Sequence, residues 1–298
     1  MKLKGKVALV AGGGQGIGEG ISLCLAEEGA DVAIADINAE KAKQVAEKIK
    51  SLEHQALALV ADLTEEAEAK KTVRETVDFF GRIDILVNNI GGVSVETLMQ
   101  IGENRAAFGN EVVPEFMYFN SKVWDRYYRL NLKSHVMLCQ AVTPYFIKQR
   151  SGKIINISSV SGRLPEPGHM PYGSMKAGDI SFTWSLASAL APYNVTVNCI
   201  CPGFVYTPLW EMGATARQQM LKEARAKGQV LPPGVVPEDV EKLTPRELWL
   251  KYMVLPSTPL GREQTAEDMG RVTVFLVSDD AKNITGQVLH VDGGLAMR

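Results

Sequence analysis

Lys6-Val7-Ala8-Leu9-Val10-Ala11-Gly12-Gly13-Gly14-Gln15-Gly16-Ile17-Gly18 decides the fold. An apolar run of strand length breaks into glycine, and the residues from Gly16 to Glu28 then take up helical spacing. A strand turning into a helix through Gly12, Gly16 and Gly18 brings backbone N–H groups and the positive end of the helix dipole to one point, which suits a pyrophosphate. The glycine spacing alone is weak, because 27 glycines in 298 residues produce chance matches. Its context strengthens it. Asp31 to Ala35 reads as a second strand, and Asp36 closes it 18 positions after Gly18. That is near the ~20 residues at which a carboxylate meets the ribose of a bound dinucleotide. A carboxylate accepts hydrogen bonds from free ribose hydroxyls and repels a 2′-phosphate, so NAD is the expected cofactor. Gln15 and Ile37 agree, being uncharged where a 2′-phosphate would call for Arg or Lys.

Outward from this stretch, short aliphatic runs alternate with helical ones: helix Ala39 to Leu52, strand Ala56 to Ala61, a helix capped by Thr64 and running to Phe80, strand Ile83 to Asn88. A long helix from Ser121 to Gln149 follows, then strand Lys153 to Ser158, helix Tyr172 to Ala191, strand Val195 to Ile200, helix Ala266 to Val277 and strand Gln287 to Val291. This predicts one α/β domain over residues 1–298, a Rossmann-like doubly wound parallel sheet of about seven strands with helices on both faces. Residues 92–121 and 208–265 break the alternation and follow the C-terminal ends of strands, where open α/β sheets bind ligands. They are expected as two extended substrate-side loops.

Composition narrows the function. With 32 Lys+Arg against 34 Asp+Glu, the chain has no broad basic field for nucleic acid or an anionic membrane. Its apolar runs fall far short of the ~20 residues of a membrane span. Cys24 and Cys139 stand alone, and Cys199 with Cys201 lacks two further ligands, so neither a metal nor a disulfide scaffold is expected and a cytoplasmic location is.

Ser159, Tyr172 and Lys176 form the candidate catalytic group. Tyr172 and Lys176 are four apart on a predicted helix and share a face. An ammonium beside a phenol favours the ionised form, which can take a hydroxyl proton as hydride leaves carbon and return it in reverse. Tyr118 and Lys122 match the same spacing, so the pattern alone leaves two candidates.

Here the chain resembles the short-chain dehydrogenase/reductase family from Gly5 to Gly294. That family carries a serine thirteen positions before its tyrosine; Tyr172 has Ser159 there, whereas Tyr118 has Arg105. It also places the tyrosine between Asn-Ile-Ser-Ser, here Asn156 to Ser159, and Pro-Gly, here Pro202-Gly203. The resemblance implies that Ser159 polarises the substrate oxygen, Tyr172 is acid/base, Lys176 holds the nicotinamide ribose, and Asn131 anchors a water leading from Lys176. It implies cofactor contacts at Gly12, Gln15, Gly16, Ile17 and Gly18 in the turn, at Asp36, and at Asp62 and Leu63 beside adenine. Asn89 and Gly91 would pass the ribose, and Pro202, Gly203, Val205 and Thr207 the nicotinamide side. It further implies a homotetramer built on the long helices after Ser121 and Tyr172.

The expected activity is NAD(H)-dependent interconversion of a secondary alcohol and a ketone. Aromatics in or near the two irregular segments, such as Phe119, Trp124, Trp210 and Trp249, favour a cyclic or otherwise bulky substrate. An NADP-dependent carbonyl or 3-oxoacyl-thioester reductase is the alternative enzyme. A dinucleotide-binding sensor or scaffold is the alternative of another class, disfavoured because a binding protein has no need of an acid/base tyrosine.

Overall fold

The computed structural model describes residues 1–109, 111 and 113–297. Among these, seven strands form one parallel sheet in the order β3-β2-β1-β4-β5-β6-β7: β1 Val7–Ala11, β2 Asp31–Asp36, β3 Ala56–Val60, β4 Ile85–Asn88, β5 Gly152–Ile157, β6 Val195–Pro202 and β7 Val288–Val291. This is the predicted Rossmann-like doubly wound sheet. The order reverses at β1, whose other neighbour is β4, and this switch point opens a crevice at the carboxyl ends of the strands.

Strand alternation sends side chains to two cores. Ala8 and Val10 of β1, with Ile85 and Val87 of β4, pack beneath α1 (Gly16–Glu27), α2 (Ala39–Lys50) and α12 (Ala266–Val277). Leu9 and Ala11, with Leu86, face α3 (Glu66–Phe80), α6 (Ser134–Gln149) and α7 (Met170–Leu190). Burial on both faces explains why these strands read as continuous apolar runs. Helices α1 and α12 approach closely through glycine: a Cβ on Gly20 would stand 2.6 Å from Ala266 Cβ, and one on Gly270 2.5 Å from Cys24 Sγ.

The structure corrects several boundaries. Lys6, Ile83 and Gln287 lie outside their strands, and α7 begins at Met170 with Pro171 in its first turn. Thr64 does not cap α3. Asp62 Oδ1 accepts from both its N–H (3.0 Å) and its hydroxyl (2.7 Å), a turn that delays the helix to Glu66. The long helix is α5 (Ser121–Tyr128) and α6 joined by a π turn at Arg129–Lys133.

The two segments expected as loops are largely helical. The first holds α4 (Val95–Ala106); its Asn110 and Val112 lie outside the described residues. The second holds α8 (Pro208–Ala226), α9 (Pro237–Lys242), α10 (Pro245–Trp249) and α11 (Leu255–Ser257). Caps start these helices where apolar periodicity is faint: Ser94 on the N–H of Thr97, and the reciprocal Thr244–Glu247 box.

Candidate active site

The glycine turn is shaped by contacts only glycine permits. Gly12 and Gly16 have φ of 72° and 56°, and a Cβ on Gly18 would lie 1.9 Å from the Gly12 carbonyl oxygen. Asn89 Nδ2 donates to that same oxygen at 2.8 Å and locks the end of β4 against the turn. Gln15 is exposed at the N-cap of α1 and supplies no side-chain cap, leaving the first N–H groups of the helix to an outside acceptor. Ile17 packs partly on the core. Thr207 reaches over the turn, 3.2 Å from where a Gly16 Cβ would be.

Asp36 ends β2 facing the turn. Its carboxylate accepts from Gly14 N–H at 3.0 Å and from Asn38 N–H at 2.9 Å, so it braces the loop as well as bordering the crevice. Ile37 beside it is 72% exposed. Asp62 is exposed at the end of β3 and held in its own turn, while Leu63 is buried in the core. After β6, Gly203 N–H donates to Val291 O (3.1 Å), and Val205 forms a bridge with Gln264. Pro202 closes β6 and takes its place in the register against Val291.

Asn131 sits buried in the π turn. Its Oδ1 accepts from Gly92 N–H at 2.7 Å, and its Nδ2 donates to Gly92 O (2.9 Å) and Tyr127 O (3.2 Å). The irregular turn aims the amide at the loop after β4 instead of along its own helix. Lys176 is buried on α7, with Nζ donating to Ile157 O at 2.9 Å. A Cβ on Gly91 would fall 2.9 Å from Lys176 Nζ and 3.0 Å from Asn131 Oδ1, so these three residues converge.

Tyr172 lies one turn before Lys176, with the ammonium 5.9 Å from its ring centroid. Ser159 caps the short helical turn Val160–Gly162, its Oγ accepting from Ser161 N–H at 3.1 Å. That turn is pressed on α7, because a Cβ on Gly162 would meet the Lys176 backbone at 2.8 Å. Tyr118 and Lys122 do not share a helix: Tyr118 ends a short 3₁₀ turn and packs on Phe108, while Lys122 belongs to α5.

The first helical segment and the start of α5 pack against Tyr172. Phe119, Val123 and Tyr127 form a small core with Val93, Ile101, Trp124, Tyr172 and Met175. Phe204, Tyr206, Trp210 and Trp249 form another. The two segments approach each other where a Gly92 Cβ would lie 3.4 Å from Leu209. Burial pushes the Tyr127 phenol up to about 12, with Tyr172 adding to the rise. His169 Nδ1 lies 4.0 Å from Glu166 Oε2.

Sequence reading missed two buried residues at this site. His135 Nδ1 lies 2.9 Å from Asp179 Oδ1, and Asp179 Oδ2 lies 3.6 Å from Lys176 Nζ. Their signal was a carboxylate three residues after Lys176 and a histidine four after Asn131, both on faces that look inward.

A parallel sheet with its switch point beside a glycine turn, and a Tyr–Lys pair on the helix after β5, define a dinucleotide-linked oxidoreductase class. Residues 6–218 match the short chain dehydrogenase family, and 233–296 match the family described as enoyl-(acyl carrier protein) reductase. The chain belongs to the short-chain dehydrogenase family. It is 33% identical over 297 residues to 3-oxoacyl-[acyl-carrier-protein] reductase FabG of Thermotoga maritima, covering 100% of both chains. It is 32% identical to (2S)-[(R)-hydroxy(phenyl)methyl]succinyl-CoA dehydrogenase subunit BbsD of Thauera aromatica, covering 100% of this chain and 99% of that one. Among solved structures it resembles 7α-hydroxysteroid dehydrogenase complexed with NADH and 7-oxo glycochenodeoxycholic acid. That match has a TM-score of 0.75 at 29% identity and covers 98% of this chain and 95% of that one. NAD⁺-bound xylitol dehydrogenase matches with a TM-score of 0.77 at 29% identity, covering 99% and 100%.

Proposed function

We propose that this oxidoreductase interconverts a ketone and a secondary alcohol borne on an acyl thioester, with NAD(H) as the dinucleotide. The observation that carries the chemistry is the Tyr172–Lys176 pair, with Lys176 seated against Gly91 and Asn131. The names of the curated relatives, one acting on an acyl-carrier-protein thioester and one on a CoA thioester, put the thioester substrate ahead of the general alcohol that sequence reading ranked first. The choice of NAD(H) rests on Asp36, whose carboxylate would face the ribose where an NADP-binding site needs a cation.

The residues present fit a dinucleotide: Gly12, Gly16 and Gly18 put no Cβ in the turn's path, α1 has an uncapped N-terminus, and Asn89, Thr207 and Gly91 border the space. A bound nicotinamide supplies or takes up the hydride. Tyr172 then gives its phenolic proton to the carbonyl oxygen during reduction and recovers it during oxidation. Ser159 would hold that oxygen. Lys176 places positive charge beside the phenol and would bind the nicotinamide ribose, and Asn131 would anchor the water that returns the proton. The aromatic flank of Phe119 and Tyr127 would keep bulk water from Tyr172, which suits a bulky acyl group. The reading also takes the chain as a cytoplasmic homotetramer, as its family resemblance implies; light scattering reports the mass.

The test is nicotinamide absorbance on mixing either dinucleotide with a 3-oxoacyl-CoA or a panel of cyclic and acyclic ketones. Turnover of the thioester with NADH supports the proposal. Turnover of simple ketones alone, or of NADPH alone, overturns the corresponding half. Dinucleotide binding with no turnover of any carbonyl would instead mark a sensor.

A further inference from the structure

We propose that Asp179 and His135 are positioning residues for Lys176, a buried carboxylate and imidazole that fix its ammonium against the loop following β4. This rests on the reading of Lys176 given above. His135 and Asp179 are fully buried on α6 and α7. Both ring nitrogens of His135 face oxygens: Nε2 lies 2.8 Å from Ile90 O and Nδ1 2.9 Å from Asp179 Oδ1. A carbonyl only accepts, so Nε2 carries a hydrogen and donates it there. The 2.9 Å contact with Nδ1 commits Asp179 Oδ1 to His135.

Oδ2 is therefore left over. It is buried without a hydrogen-bond partner, 3.6 Å from Lys176 Nζ. The ammonium has Ile157 O on one side, Asp179 Oδ2 on another and the Gly91 backbone on a third. The network thus fixes two things at once: the height of the ammonium on α7, and, through the Ile90 carbonyl, the loop carrying Asn89 and Gly91. Other titratable groups around Asp179 are Cys139 on α6, whose thiol is pushed up chiefly by burial, Cys199 on β6, pushed up chiefly by its contact with Cys201 and by burial, with Asp179 a lesser contributor to both, and Tyr172 one turn before Lys176.

Stability does not explain the pair. Replacing buried charged groups with apolar side chains of similar size is often neutral or stabilising, because their desolvation is costly. A placement role does explain it, since displacing a group at a reacting centre by a fraction of an ångström is expensive in rate.

The test compares wild type, the double variant His135→Leu/Asp179→Val and the single variant Asp179→Asn. The affinity for NADH is read by nicotinamide fluorescence without substrate, kcat and KM by absorbance, and Tm by calorimetry. Positioning predicts a folded double variant that binds NADH ~10-fold more weakly, with kcat down ~10-fold or more and KM for the carbonyl within ~2-fold. A folded double variant with NADH affinity and kcat both within ~2-fold of wild type overturns the proposal. Should the double variant not fold, Asp179→Asn, which keeps size and shape, decides by the same criteria. Lys176→Ala separates the two layers: if it binds NADH and turns over like wild type, the functional reading of Lys176 fails. If it fails while the Asp179 and His135 variants behave like wild type, only the positioning role falls.

Discussion

Lys176 Nζ stands 5.9 Å from the centroid of the Tyr172 ring, one helical turn along α7. The pair is built by the helix itself, since i and i+4 side chains lie one above the other. Tyr172→Phe removes only the hydroxyl. We expect turnover to fall ~10²- to 10⁴-fold, the usual contribution of a general acid–base group, with NADH affinity nearly unchanged. Steady-state kinetics and fluorescence titration check both, and an unaltered kcat would remove Tyr172 from the chemistry.

A second tyrosine lies close by and serves as the control. Burial pushes Tyr127 up to about 12, so its phenol stays protonated across the working range. Its folded value lies above the ordinary phenol value of about 10, so its contribution to stability is complete below pH ~10 and is lost as pH rises through about 12. Tyr127→Phe should flatten the alkaline loss of Tm over that window and leave the pH at which kcat/KM rises where it was.

Asp36→Ala should weaken NADH and relax discrimination against NADPH, each by ~10-fold, the scale of a hydrogen bond to a charged group. Because Asp36 also braces Gly14 and Asn38, Tm must be measured alongside. A lower Tm with an unchanged NADH/NADPH ratio would make it a turn brace alone.

Gly18→Ala introduces a Cβ 1.9 Å from a backbone oxygen, a contact that neither partner can relieve by rotating a side chain. Overpacking of this kind costs about 1–3 kcal/mol, and it displaces the Gly12 carbonyl that Asn89 holds. The variant should melt lower and lose dinucleotide affinity together.

Cys139 is buried and its thiol is pushed up to about 12, chiefly by desolvation. With the thiolate as the nucleophile, iodoacetamide at pH 8 should label Cys139 only at the rate of unfolding, as peptide mass spectrometry reports.

The strand–turn–helix start and the sheet were legible because β-branched and aliphatic runs buried on both faces leave a strong signal, as in β1 and β4. The helical character of residues 208–265 was not, because α8 to α11 are amphipathic at best and rely on local caps such as Thr244–Glu247. Tyr172, Lys176 and Ser159 were legible as a spaced pattern, and their company was not. His135 and Asp179 meet across two helices 44 residues apart, a separation no local period encodes.

The π turn at Arg129–Lys133 carries one residue more than a regular helix needs. Deleting a residue there would restore an even ladder and rotate one flank against the other by about 100°. Asn131 and the core face of α6 could then not both keep their bearings. What this stretch preserves is a count of residues, so scanning it by substitution alone would underestimate how tightly it is constrained.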